Sequence, residues 1–228
     1  MLCRIEMLID FITGKSNRVW YLLFIILFWF LWGLISYIAA QQFLVPYNLL
    51  NNHVSNLGGI AHNPYGHQLW NNAMIIMGIC SIPYYAFIYQ YFKSNWPVLS
   101  KWMLGFGISC AIGFSLVGLF PEDIVGLHQL GAVMNFVGIP SLAGCIQYIV
   151  VKNSKLVQSW KLITLLNIFL FIIFTTMLLI FRLDEWFGLS YPPEPRIFDF
   201  PIWEWSYFFM VITWMIGILI PLNNNKSH

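Results

Sequence analysis

The side chains able to do chemistry gather in two stretches of this chain. The first, residues 41–68, holds His53, Ser55, Asn56, His62, Asn63 and His67 without a single formal charge. The second is Phe120-Pro121-Glu122-Asp123 followed by His128, with Asn135 seven residues further on. Seven residues make two helical turns, so His128, Gly131 and Asn135 share one face. A serine nucleophile, a histidine base and a carboxylate are the parts of a hydrolase or acyltransferase. On that reading His128, Glu122, Glu204 and Ser55 carry the catalysis. Asn56, Asn63, Asn72 and Asn135 are the candidates for holding a ligand. Arg182 joins them because a guanidinium grips phosphate with two parallel hydrogen bonds. The plainer reading makes the same residues a structural polar network, in which His128 ties a loop to a helix.

Metal chemistry is poorly served. His53, His62, His67 and His128 include no pair four apart on a helix, the spacing of the zinc-hydrolase motif. The cysteines Cys3, Cys80, Cys110 and Cys145 form no CxxC pair and read as small apolar side chains. No metal or other cofactor is expected.

What must position these groups follows from composition. Of the 228 residues 59% are hydrophobic and only 9% charged, against roughly a quarter charged in a soluble domain. No charge occurs from Val19 to Phe92. A soluble globule of this size buries only about 70% of its surface, so a soluble enzyme is excluded. A disulfide scaffold and a nucleic-acid binder are excluded with it. The expected fold is all-α, a polytopic bundle of six transmembrane helices. A spanning helix needs about 20 mostly apolar residues. The qualifying segments are near Val19–Ala40, Leu69–Tyr91, Trp102–Phe120, Val125–Val150, Lys161–Phe181 and Trp203–Leu222. The first is too long for a signal-peptide core and is expected to be retained. Residues 1–18 then form an N-terminal segment, 19–222 one transmembrane domain, and 223–228 a polar tail. The start of the chain alternates apolar residues with Arg4, Glu6 and Asp10, which suits either a short interfacial helix or a frayed lead-in.

Nine Lys and Arg fall on the side of the termini and only Arg182 and Arg196 on the other. Both termini are therefore expected in the cytoplasm of a plasma or bacterial inner membrane. Seven acids, Glu122 and Glu204 among them, fall outside, where Trp186, Trp203 and Trp205 would form an interfacial belt. The first outer loop is charge-free and carries Leu44, Leu49, Leu50, Leu57 and Ile60. It is expected to fold partly buried over the bundle's outer end. In the third span Gly105, Ser109 and Gly113 recur every four residues, a ribbon that lets helices approach closely in lipid.

The run Ser55-Asn56-Leu57-Gly58, then Asn63-Pro64, then Asn72, resembles the S-x-L-G…N-P…N pattern of domain of unknown function 998. Gly118-Leu119-Phe120-Pro121 followed by His128 resembles that family's G-x-F-P…H pattern. Asn56 stands where the family often has Asp or a similar polar residue, which removes a possible charge. The family is six-helix prokaryotic membrane proteins, and it is similar in turn to the Frag1/DRAM/Sfk1 proteins, some of which act in lipid remodelling or distribution. The resemblance implies the fold more than any reaction. The favoured expectation is an outer polar pocket that binds or handles a membrane lipid or other amphiphile. The alternatives are an intramembrane enzyme using His128 and a nearby carboxylate, and a small-molecule transporter. Transport is disfavoured because the spans hold no midplane ionisable residue and no repeat.

Overall fold

A helix that is apolar all round has no aqueous face, and the long uncharged stretches of this chain fold accordingly. The computed structural model describes residues 2–124, 126–153, 160–187 and 200–222, with the side chains of 4–124, 126–153, 160–176 and 201–222. Among these residues the regular structure is helical throughout. The α-helices are α1 (Leu2–Ile12), α2 (Arg18–Ala40), α3 (His67–Phe92), α4 (Pro97–Leu119), α5 (Leu127–Lys152), α6 (Lys161–Phe187) and α7 (Phe200–Leu219). A 3-10 turn, Ser55–Gly58, lies within the long connection from α2 to α3.

Five helices, α2, α3, α4, α5 and Pro201–Leu219 of α7, are long and apolar enough to cross a membrane. In α6 the apolar stretch with described side chains is shorter, Lys161–Thr176. Lipid explains how α2 divides its faces. Tyr21, Ile25, Trp29, Trp32, Ser36 and Ala39 recur at helical spacing and are buried. Leu23, Ile26, Leu27, Phe30, Leu31 and Leu34 are exposed, although every one is apolar. In water such a surface would drive aggregation.

Element ends differ from the expected spans for local reasons. Helix α4 starts at Pro97 rather than near Trp102, since a proline in the first turn has its φ preset and no N–H to satisfy. Helix α5 starts after Gly126, whose φ of 101° only glycine adopts easily. Residues 2–12 are helical, and Phe11 stacks on Tyr21 at 4.8 Å. Arg18 Nη1 donates to the carbonyls of Ile220 (2.8 Å) and Leu222, closing the last turn of α7.

Helices α3, α4 and α5 form successive antiparallel hairpins held by small residues on α4. The ribbon of Gly105, Ser109 and Gly113 is not one seam. Gly105 is exposed, and a Cβ there would meet nothing within 4 Å. Two seams exist instead, because α4 is sandwiched. Gly107 and Gly118 admit Tyr85 and the Asn71 backbone of α3, while Gly113 lies against Gly131 of α5. Deeper in the bundle Asn167 donates to Gln147 Oε1 (2.8 Å) and accepts from Trp214 Nε1 (2.6 Å), joining α6 to α5 and α7. Such neutral, satisfied pairs hold helices together in lipid.

Candidate functional site

The connection from α2 to α3 is drawn down over one end of the bundle by polar side chains. Glu204, in the first turns of α7, accepts the Val54 N–H at 2.9 Å and lies 3.3 Å from His53 Nδ1, both through Oε2. Glu122 Oε2, in the α4–α5 turn, accepts from Asn56 Nδ2 at 2.8 Å, and Asn56 Oδ1 accepts the His53 N–H at 2.7 Å. Asp123 accepts the N–H groups of Ile60 (2.5 Å) and Ala61 (3.3 Å). Asn71 of α3 donates to the Gly58 carbonyl at 3.0 Å. Asn63 is fully buried and donates to Ala39 (3.1 Å) and Leu57 (2.9 Å) carbonyls while accepting the Gly66 N–H (2.9 Å). Beneath this roof Val54 and Leu57 are buried in the core. The carboxylates do the work that loop charges would otherwise do: they satisfy backbone N–H groups that burial has stripped of water.

His53 holds the roof in a titratable way. Burial lowers its pKa, but the hydrogen bond to Glu204 and the charges of Glu204 and Glu122 together raise it above the usual 6.5. Its proton is retained to a higher pH than in a free histidine, and with it the attraction to Glu204.

Under the roof lies a cavity of about 30 Å³ bounded by Ser55, Trp70, His128, Asn135 and Glu204, with Ala132 and Phe136 on its apolar side. That is room for about two water-sized groups, each needing roughly 10–15 Å³. His128 is buried, and its Nδ1 lies 2.8 Å from the Phe120 carbonyl. A carbonyl only accepts, so Nδ1 carries hydrogen and Nε2 is the acceptor of the neutral ring. Asn135 donates to Gly131 (3.2 Å), and its backbone carbonyl accepts from Tyr207 (3.1 Å). The Asn135 Oδ1 and the Trp70 indole N–H are buried without a partner among the described residues.

Residues 22–218 match the family described as protein of unknown function, DUF998. The chain belongs to this family. The roof and cavity lie wholly inside the matched span. Neither a curated protein nor a solved structure matches the chain. With its apolar spanning helices, this DUF998 protein is a multi-pass helical membrane protein.

The residues singled out from its sequence fall into three groups. Ser55, His128, Asn135 and Glu204 border the one cavity. Glu122, Asn56 and Asn63 belong to the roof and its clamps. Asn72 is exposed, and the neighbouring Asn71 makes the contact instead, because one residue along a helix turns the side chain by about 100°. The Arg182 side chain lies outside the described residues, as do those of Asp184, Glu185 and Trp186 and the tail from 223. The proposed catalytic set is divided: Glu204 faces His53 rather than His128, and no hydrogen bond joins Ser55 to His128. Trp205 is no belt residue; it is buried and its Nε1 donates to the Asn52 carbonyl at 3.1 Å, propping the roof. Sequence reasoning missed His53 as the partner of Glu204, and missed Asp123 and Trp70. For Asp123 the signal was present, since it stands in the same turn as Glu122.

Proposed function

We propose that this DUF998 protein crosses its membrane six times, α6 included, with both termini in the cytoplasm and the roofed end outside. There it binds or handles the polar head of a lipid or other amphiphile. The observation that carries this reading is a small cavity at a bundle end bordered by Asn135 and Trp70, whose Oδ1 and Nε1 are buried without a partner among the described residues. A buried polar group without a partner costs about 1–3 kcal/mol, so the site favours an occupant that hydrogen-bonds. The apolar wall of Ala132 and Phe136 suits a molecule polar at one end only. The similarity to the Frag1/DRAM/Sfk1 proteins belongs to the same proposal.

The test fills the cavity without touching a polar group. Ala132→Leu is expected to remove a lipid retained by the wild-type protein in native mass spectrometry after gentle extraction. An identical lipid complement in both proteins defeats the proposal. Topology has its own check, motivated by nine Lys and Arg on one side against two on the other. A reporter fused after Lys226 is expected to stay cytoplasmic, and one inserted at Gly59 to be translocated. The reverse pattern moves the site to the inner face.

One observation favours a second reading, an intramembrane hydrolase or acyltransferase. The Phe120 carbonyl fixes the His128 ring as an orienting group fixes a general base, and Ser55 borders the same cavity. The two readings separate at His128→Gln. Glutamine still donates and accepts, so binding persists, whereas proton transfer is abolished.

A further inference from the structure

We infer that α1 is a membrane-surface helix: it lies flat on the leaflet at the end of the bundle away from the roof, with one face sunk among the lipids. The inference concerns a different surface from the roofed cavity and stands apart from the amphiphile reading.

Every side chain from Arg4 to Asp10 is exposed, so α1 projects from the bundle. An isolated helix of this length is marginal in water, so a surface must hold it. Its apolar residues suit one. Ile5, Leu8, Ile9 and Ile12 recur at the spacing of a single helical face, and each is between 46% and 58% exposed. Arg4, Glu6 and Asp10 flank or oppose that face. Arg4 is offset by the two acids, so the apolar face rather than charge supplies the attraction.

Depth decides what covers this face. The contacts that fix α1 come from its last turn and just beyond it. Phe11 stacks on Tyr21 at 4.8 Å and meets Phe24 edge-on at 5.3 Å. The Thr13 carbonyl accepts from Gln90 Nε2 at 3.1 Å, and Gly14 lies directly against the Ala86 backbone. Arg18 opens α2 and Lys93 closes α3, and these charges mark where the two spans meet water. At 1.5 Å per residue Tyr21 and Phe24 lie about 5 and about 9 Å beyond Arg18, and Ala86 about 10 Å before Lys93. The end of α1 is therefore held inside the boundary, at the depth of about 5–10 Å to which interfacial helices sink. At that depth α2 presents Val19, Trp20 and Leu23 outward, all exposed, so the surroundings are already lipid. A helix continuing into the hydrocarbon would carry Glu6 and Asp10 with it at high cost. One lying flat leaves them in water.

The test compares two neighbours. Met7 and Leu8 are both 58% exposed, but Met7 stands opposite the apolar face and Leu8 within it. Leucine, methionine and glutamate have similar helix propensities, so Met7→Glu and Leu8→Glu differ in what surrounds the new charge. The full-length protein is placed one copy per disc in phosphatidylcholine nanodiscs, and backbone hydrogen exchange is followed. Residues 5–10 are expected to be protected in the parent and in Met7→Glu, and to exchange at least tenfold faster in Leu8→Glu, with α3 unchanged in all three. Unprotected exchange of residues 5–10 in the parent overturns the inference and leaves the face to a second copy or another protein, since such a disc holds neither. An equal response to the two substitutions overturns it as well. So does faster exchange of α3 in Leu8→Glu, which would mean that the face packs on the bundle.

Discussion

Gly113→Leu is expected to cost the protein its fold, whereas Gly105→Leu, two turns away on the same helix, is expected to change nothing measurable. At Gly113 an added Cβ would sit 2.7 Å from the Gly131 carbonyl oxygen, 2.8 Å from Asn135 Nδ2 and 3.0 Å from Met134 Cβ. The first of these is backbone and cannot swing aside. The contact is reciprocal, since a Cβ at Gly131 would meet the Gly113 carbonyl at 2.8 Å. Overpacking typically costs about 1–3 kcal/mol. Here the leucine must push α5 away bodily, and α5 carries both His128 and Asn135, so site and stability fail together. At Gly105 nothing lies within 4 Å, and a leucine there meets lipid. The measurement is the detergent melting temperature of the two variants beside the parent. Equal melting for Gly113→Leu and the parent would show that α4 and α5 do not touch there.

Those two glycines also mark how far the sequence alone reaches. A four-residue repeat puts Gly105, Ser109 and Gly113 near one face, but it cannot tell that α4 has neighbours on two sides. The helices themselves were legible because their apolar runs exceed the length a soluble core needs. The polar face of α5 was legible too, since the spacing of His128, Gly131 and Asn135 is a matter of helix geometry. The charge-free connection after α2 pointed to a roof, but of the five apolar side chains that suggested it only Leu57 is buried, while Leu44, Leu49, Leu50 and Ile60 are exposed. Its fastenings were not readable. His53 and Glu204 lie 151 residues apart, and no local pattern links them. Asn72 came from the family pattern, and a step of one residue along the helix puts Asn71, not Asn72, against the Gly58 carbonyl of the roof. Trp205 looked like an interfacial anchor because composition cannot distinguish a tryptophan at a lipid boundary from one donating into a loop carbonyl.

Glu204 offers the sharpest test of the roof, because two of its contacts respond to different substitutions. Its Oε2 accepts the buried Val54 N–H and faces His53. Glutamine keeps an oxygen for Val54 but has no charge for an imidazolium. Alanine removes both and leaves a buried donor unpaired, at about 1–3 kcal/mol. The sign of the pH effect follows from His53, whose folded pKa stands above the unfolded 6.5. A folded state that binds a proton more tightly gains stability where that proton is bound. The contribution is complete below about pH 6.5 and is lost as pH rises through the folded value. Hydrogen exchange of the backbone from 53 to 63, corrected for intrinsic rates, reads this directly. In the parent protein the roof is expected to be better protected at pH 5.5 than at pH 8.5. Glu204→Gln is expected to keep moderate protection and lose its pH dependence. Glu204→Ala is expected to lose most protection at both pH values. Asp123 holds Ile60 and Ala61 rather than a histidine ring, so its replacement should loosen the roof without flattening its response, whereas replacing Glu122, which holds Asn56 and whose charge helps to raise the His53 pKa, should loosen the roof and blunt that response. Protection in the parent that rises with pH, or a Glu204→Gln protein as pH-sensitive as the parent, would mean that the His53–Glu204 contact does not hold the roof closed.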